Sequence, residues 1–362
     1  MSEDLLADAM DAIAERAISR KLAAGLVIRI ERGTQLIFEN AYGYALVAAN
    51  RHDPMATSTK FDLASLTKLF ATTAALRLAT LKKLVLDTAL CDMAYTARMS
   101  SGHPLLEKAF SAITVRKLMT HSSGLHYWYP FYAAEIGDFA SIMESVLERF
   151  PLGGEIVYSD LNYMLLGKIV ENASGFPLKA AMRDFVCGPL KLADTGYRLE
   201  RGPFAATEFG NPIEKKMVED LGLAFSGWRP DGIPFVGEAD DGNCHYFFGG
   251  VAGHAGIFST ARDLCALGRL YLDPNGHNGF LSPRLVAEAS KDQGGNRGLG
   301  FQLGELYPVG GFGHTGFTGT YLYLNRESQL AVAILANRLH VEAPQNINEL
   351  RKEVVLAALR DR

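Results

Sequence analysis

Stretches with strand character stand at the two ends of this 362-residue chain, and the long interval between them reads as helix and loop. Near the start, residues 25–30 and 35–39 are apolar or alternating runs separated by Glu-Arg-Gly-Thr, a turn signal that predicts a hairpin. Residues 42–60 read as irregular and polar. Strand character returns only after Gly298, at 313–316, 319–324 and 330–336, with a turn at 325–328. Two terminal helices complete the pattern. Leu6, Met10, Ile13 and Ala17 recur on one face of 3–20, and Ile347, Leu350, Val354 and Ala357 do so after Pro344. Hydrophobic faces must be covered, so the economical assembly is an α+β fold. One antiparallel sheet, flanked by the terminal helices, comes from 1–62 and 296–362, and 63–295 is an inserted, mainly helical domain. Helices are expected there at 115–120, 138–149, 160–171, 177–185, 260–272 and 283–289, with Thr260 and Asp263 forming a capping box.

Charge and cysteine usage narrow the function classes. A net charge of −4 offers no electrostatic footprint for nucleic acid or an anionic membrane. No apolar run reaches the roughly 18–20 residues of a membrane span, and the acidic start MSEDLLADAM does not read as a signal peptide. Cys91, Cys187, Cys244 and Cys265 are widely spaced, which fits reduced thiols in the cytoplasm better than a disulfide scaffold or a zinc site. The nine histidines show no H-x-x-x-H or H-E-x-x-H spacing. No metal or other cofactor is expected, and no oligomeric state is assigned.

The stretch 61–80, FDLASLTKLFATTAALRLAT, carries the chemistry. Read as a helix with Ser65 in its first turn, it sets Ser65 and Lys68 on one face. A serine beside a lysine near a helix N-terminus has the parts of an activated nucleophile. The bland alternative is a capping serine and a solvated lysine, since about one Ser-x-x-Lys is expected by chance in a chain this long. Two further motifs follow in order. Tyr158-Ser159-Asp160 enters a helix, with Asp160 a possible N-cap, and His314-Thr315-Gly316 lies on a glycine-rich strand.

Together, Ser65-x-x-Lys68, Tyr158-Ser-Asp160 and His314-Thr-Gly316 resemble the serine penicillin-recognising superfamily. The similarity is closest to the group of class C β-lactamases, DD-carboxypeptidases, esterases and D-amino-acid peptidases. LMTHSSG at 118–124, YSDLNYMLLG at 158–167, GGVAGHAGIFSTARD at 249–263 and GLGF at 298–301 have counterparts there, so the resemblance spans roughly 20–340. It implies a β-lactamase/transpeptidase-like fold with the site in the cleft between the two domains. It also implies that Ser65 is the nucleophile of an acyl-enzyme and that Lys68 and Tyr158 share the proton traffic. The backbone N–H groups of Ser65 and Phe317 would form the oxyanion hole, while Asp160, His314, Thr315 and Gly316 would bind substrate.

Two departures matter. Histidine stands at 314 where many members have lysine; it is mostly neutral near pH 7 and holds a substrate carboxylate less strongly. Asp160 stands where many have asparagine. Its carboxylate would keep Lys68 charged and favour Tyr158 as the base, although the residues alone leave both open as base.

The expected function is therefore a cytoplasmic serine hydrolase acting on a small molecule or short peptide, as a D-alanyl or D-amino-acid peptidase or a carboxylesterase. A β-lactamase ranks below these because no export signal is seen. A non-catalytic binding protein on the same fold is the alternative of another class. GGVAGHAG reads as a tight turn beside the cleft, with His254 and His121 structural. The aromatic run Tyr127, Trp128, Tyr129, Phe131 and Tyr132 reads as a cleft wall or a minor core, and Arg229 and Arg262 are unselected candidates for carboxylate binding.

Overall fold

The computed structural model describes residues 3–135, 137–273 and 275–360. A six-stranded, wholly antiparallel sheet runs in the order Arg51–Pro54, Gln35–Ala48, Gly25–Arg32, Leu330–Ala336, Tyr321–Asn325 and Phe312–Thr315. Its two central strands come from opposite ends of the chain, with Leu26 facing Ala336 and Arg32 facing Leu330. The fold is α+β, with helices on both faces of the antiparallel sheet.

Strand alternation assigns each face its cover. Leu26, Ile28 and Ile30, with Tyr321, Tyr323, Val332 and Ile334, pack against both terminal helices, Glu3–Ser19 and Asn348–Arg360. The opposite face, with Val27, Leu322, Leu324, Ala331, Ala333 and Leu335, joins the larger core. The Ala261–Leu272 helix lies there. At Gly268 a Cβ would come within 2.6 Å of Leu324, so glycine lets this helix approach the sheet. The Thr67–Thr80 helix is buried nearly all round, as expected of a helix at the centre of a helical layer rather than on its surface. The Asp160–Ser174 helix packs beside it.

Several local expectations change. Residues 42–60 are not all irregular: the second strand continues to Ala48, and Arg51–Pro54 adds a polar edge strand. An edge strand needs no hydrophobic alternation and tolerates proline, so it leaves no pattern to read. Short strands also occur before Gly298, at Phe61–Asp62, Gly196–Tyr197, Ala206–Phe209, Pro234–Val236 and Ile257–Ser259. Strands of two to four residues are too short to show a period. Helices Ala94–Ser100, Pro104–Ala112 and Pro212–Asp220 add to those expected. Thr260 does cap its helix, accepting a hydrogen bond from the Asp263 N–H. Among the described residues no helix is long and apolar enough to cross a membrane, and all four cysteines are free.

Candidate active site

Ser65 occupies a single 3-10 turn, Ala64–Leu66, that runs into the Thr67–Thr80 helix. Ala64 has φ of +46°, a left-handed conformation unusual for a residue with a side chain. Surrounding bonds hold the turn there. Asp62 Oδ1 accepts from the Ala64 N–H at 2.9 Å, and Thr320 and Thr318 donate to the carbonyls of Leu63 and Asp62 at 3.0 and 2.8 Å. These threonines lie in the turn that follows the Phe312–Thr315 strand, so their hydroxyls tie the third motif to the serine turn. Gly316 is required at this seam: a Cβ would stand 1.9 Å from Thr320 Oγ1 and 2.6 Å from the Leu63 carbonyl.

Lys68 is fully buried, and its Nζ donates to Ser65 Oγ at 3.0 Å and to the His254 carbonyl at 3.2 Å. Asp160 Oδ1 lies 2.7 Å from the same nitrogen as an ion pair. Burial works against the charge on Lys68, but Asp160 and Tyr158 outweigh it, and its pKa is raised. Asp160 is the first residue of its helix, and Ser159 holds the capping position without a side-chain cap. The carboxylate serves the lysine instead of the helix end.

Tyr158 stands over Lys68, with its ring centroid 5.0 Å from Nζ. Burial raises its pKa, and the adjacent Lys68 charge offsets part of that rise. The resting site thus contains a lysine cation and a neutral tyrosine. The Ser159 N–H donates to His121 Nδ1 at 3.0 Å, and the His121 ring lies 4.5 Å from that of Tyr158. His121 is therefore a support for the tyrosine loop. Burial and the Lys68 charge keep it neutral.

His314 is 1% exposed, and its ring lies 5.9 Å from that of Tyr158. Its Nδ1 donates to the Thr315 carbonyl at 2.7 Å, while Nε2 is buried without a hydrogen-bond partner among the described residues. Burial, followed by the Lys68 charge, pushes its pKa well below the usual value. His314 is thus behind Tyr158 and neutral, whereas Thr315, Gly316 and Phe317 stand on the wall of a cleft of about 560 Å³. Ser65, Tyr158 and Asp160 line the same cleft. Arg338 donates to the Phe317 carbonyl and fixes that turn from outside.

Other expected features divide. Trp128 lines the cleft, whereas Tyr129 and Phe131 belong to the core and the Tyr132 hydroxyl donates to Glu214 at 2.8 Å. His254 supplies the carbonyl that holds Lys68, and its ring pairs with Asp241 at 2.8 Å. Arg229 donates to the carbonyls of Ala239 and Asp240, and Arg262 pairs with Asp194.

Two contributors were hidden in the sequence. Asp62 had no motif around it; burial and nearby Asp240 push its carboxyl up to about 7. Arg351 lies on the buried side of the C-terminal helix and lines the cleft. It donates to the carbonyls of Gly316 and Thr320 at 3.3 and 3.1 Å. Among the described residues it has no ion-pair partner, and burial lowers its pKa to about 10. Its position on an otherwise apolar helical face was the only available signal.

A β-lactamase family model matches residues 10–356. A Bacillus subtilis N-acetylmuramyl-L-alanine amidase is 31% identical, the match covering 90% of this chain and 80% of that protein. A putative D-alanyl-D-alanine carboxypeptidase of Escherichia coli O157:H7 is 27% identical over 90% of this chain and 82% of its own length. Among solved structures, EstCE1, a hydrolase with promiscuous acyltransferase activity, superposes with a TM-score of 0.75 at 21% identity, covering 98% of this chain and 99% of its own. With this match over nearly its whole length, the chain belongs to the β-lactamase family, a hydrolytic family within the serine penicillin-recognising superfamily.

Proposed function

We propose that the chain is a serine hydrolase that forms an acyl-enzyme at Ser65 and acts on short D-amino-acid-containing peptides, with simple carboxylic esters as the second substrate class. The observation that carries this reading is the 3.0 Å contact between Lys68 Nζ and Ser65 Oγ inside a cleft large enough for a small substrate. Lys68 donates to Ser65 Oγ, so the serine proton must leave toward another group. Tyr158 is that group: in the reactive form its phenol proton has first been lost to solvent, the Lys68 charge stabilises the resulting phenolate, and the phenolate takes the Ser65 proton as Oγ attacks the carbonyl carbon. The tetrahedral oxyanion is held by the backbone N–H groups of Ser65 and Phe317. Tyr158 then returns the proton to the leaving group, and water repeats the sequence on the ester. Asp160 keeps Lys68 charged throughout, and His314 acts through Tyr158 as a positioning residue.

Thr315 and Arg351 bind a substrate carboxylate. A buried guanidinium with no carboxylate of its own is complementary to one brought by a ligand. Peptides with a free C-terminus supply that group and simple esters do not, which favours the peptidase reading. The names of the Bacillus and Escherichia relatives, an amidase and a putative carboxypeptidase, point the same way. The four free thiols accord with action in the cytoplasm.

The test is intact mass after treatment with a fluorophosphonate probe, on the natural chain and on Ser65→Ala. One adduct, lost in the variant, is the expected outcome and justifies assays of D-alanyl peptides, esters and β-lactams. No adduct under conditions that label a control hydrolase would overturn the acyl-enzyme reading and leave a binding protein. Turnover of β-lactams in preference to peptides would move the assignment to β-lactamase.

A further inference from the structure

Tyr158 carries a negative charge in its reactive form, and the groups around it set how readily it does so. Burial raises its pKa most; the Lys68 charge lowers it, and the Asp160 charge raises it again. Asp160 lies 2.7 Å from the Lys68 ammonium, so the two charges largely cancel as felt by the phenol. The other titratable groups packed against the ring add no charge. His121 and His314 are kept neutral, by burial above all, and Tyr163 and Tyr307 are phenols whose burial opposes ionisation. From these residues alone, a phenolate would form in surroundings with no net positive charge.

Arg297 changes that balance. Its guanidinium carbon lies 5.2 Å from the centroid of the Tyr158 ring, against 5.0 Å for Lys68 Nζ. Among the described residues the guanidinium has no hydrogen-bond or ion-pair partner, so its charge is not spent on a carboxylate of the protein. Asp292, the acid closest in sequence, accepts instead from the backbone N–H groups of Gly294 and Arg297, at 2.9 and 3.2 Å. The side chain is half-buried, and its field reaches past the ring: at His121 and His314 it adds to burial and the Lys68 charge in keeping both imidazoles neutral. Backbone pairing fixes where Arg297 stands. It bridges to Gln302, which exchanges two hydrogen bonds with Gly313, at 2.8 and 3.0 Å, next to His314. On the other side a Cβ at Gly294 would stand 3.0 Å from Ile156 Cδ1, two residues before Tyr158.

We propose that Arg297 is the second cation of the proton transfer: its unpaired charge beside the ring sustains the Tyr158 phenolate, so that the tyrosine serves as base although Asp160 offsets Lys68. A ring attracts a cation through its π-electrons, and a phenolate, which spreads negative charge into the ring, does so more strongly than a neutral phenol. With Lys68, Asp160 and Arg297 charged and both histidines neutral, the surroundings of Tyr158 carry one net positive charge, which the phenolate balances. Arg297 keeps its own protons and makes no bond to the reacting atoms. It acts through Tyr158 and is a positioning residue.

The inference rests on the reading of Tyr158 as base, so the test measures that reading separately. The substrate is p-nitrophenyl acetate, an activated ester with no carboxylate for a guanidinium to bind. Its kcat/KM is followed from pH 6 to 9 for the natural chain, Arg297→Gln, Arg297→Lys and Tyr158→Phe, with circular dichroism to verify folding. The ionisation of Tyr158 is followed by NMR of chains labelled with carbon-13 at tyrosine Cζ, its signal being the one lost in Tyr158→Phe. In Arg297→Gln, Tyr158 is expected to ionise about one pH unit higher, and the ester to be cleaved about tenfold more slowly at pH 7. Arg297→Lys should restore at least about half of each shift. Unchanged ester rates, an unshifted Tyr158 titration, a lysine variant no better than the glutamine one, or a loss confined to substrates with a free carboxylate would each overturn the inference. Undiminished activity in Tyr158→Phe would overturn the base reading itself. Loss of activity in Tyr158→Phe beside an unaltered Arg297→Gln would overturn the role of Arg297 alone.

Discussion

Replacing Asp160 by asparagine isolates the electrostatics of the proton transfer. The carboxylate lies 2.7 Å from a fully buried ammonium, which at an effective dielectric constant of about 20 is a gross attraction of about 6 kcal/mol. The amide dipole and local relaxation recover part of this, leaving a net loss of about 3 kcal/mol, or about two pK units for Lys68. Burial, which already opposes the charge, then acts without its main counterweight. Lys68 in Asp160→Asn should therefore lose its proton about two pH units lower than in the natural chain, where its pKa is raised. If Tyr158 is the base and needs the Lys68 charge, kcat/KM for an activated ester should acquire a new alkaline limb in the variant, falling about tenfold for each pH unit above it. If neutral Lys68 were the base, the variant would gain activity over that range. The assay is a pH–rate profile from 5 to 10 for both proteins, with circular dichroism to verify folding. A gain refutes Tyr158 as base, and an unchanged profile refutes the importance of the ion pair.

Two further outcomes are expected. Gly316→Ala pushes a methyl group into Thr320 and the Leu63 carbonyl and should separate the strand from the serine turn. A loss of about 1–3 kcal/mol in urea unfolding with a larger proportional loss in kcat/KM is expected, and native-like values for both would refute the seam. Asp62 is fully buried with its pKa raised to about 7, so the folded state binds this proton more tightly than the unfolded chain does. That stabilisation is complete below pH 4 and is lost as pH rises through about 7. The urea midpoint should therefore fall between pH 5.5 and 8, and Asp62→Asn should flatten that dependence; a midpoint that rises over this interval would contradict it.

The parts that were legible in the sequence have short-range or periodic signatures. Ser65 and Lys68 are three residues apart on one helical turn, so their contact follows from local geometry. Leu26, Ile28 and Ile30 alternate with the period of a strand and occupy one core, as their spacing requires. The order of the three motifs carried the family resemblance and hence the fold. What stayed hidden depends on the approach of distant segments. Arg351 is one of the buried residues of a helix that looked merely apolar, and its meaning appears only when Gly316 and Thr320 are brought to it. Asp240 reads as one acid among many until the fold buries it beside Asp62, whose carboxylate accepts from its N–H. His314 sits in a recognisable motif, yet its burial behind Tyr158 follows from strand pairing, Leu322 facing His314, rather than from its neighbours in sequence.

The pairing of Leu26 with Ala336 has a consequence during synthesis. These partners are 310 residues apart, 336 minus 26. At about 5–20 residues per second, the N-terminal hairpin emerges roughly 15–60 seconds before its central neighbour exists. Through that interval one long edge of Gly25–Arg32 displays unpaired backbone groups beside Leu26, Val27, Ile28 and Ile30, a template for strands of other chains. Nascent chains should therefore be most prone to aggregate while the helical interior is being made, and slowing translation there should lower the soluble yield.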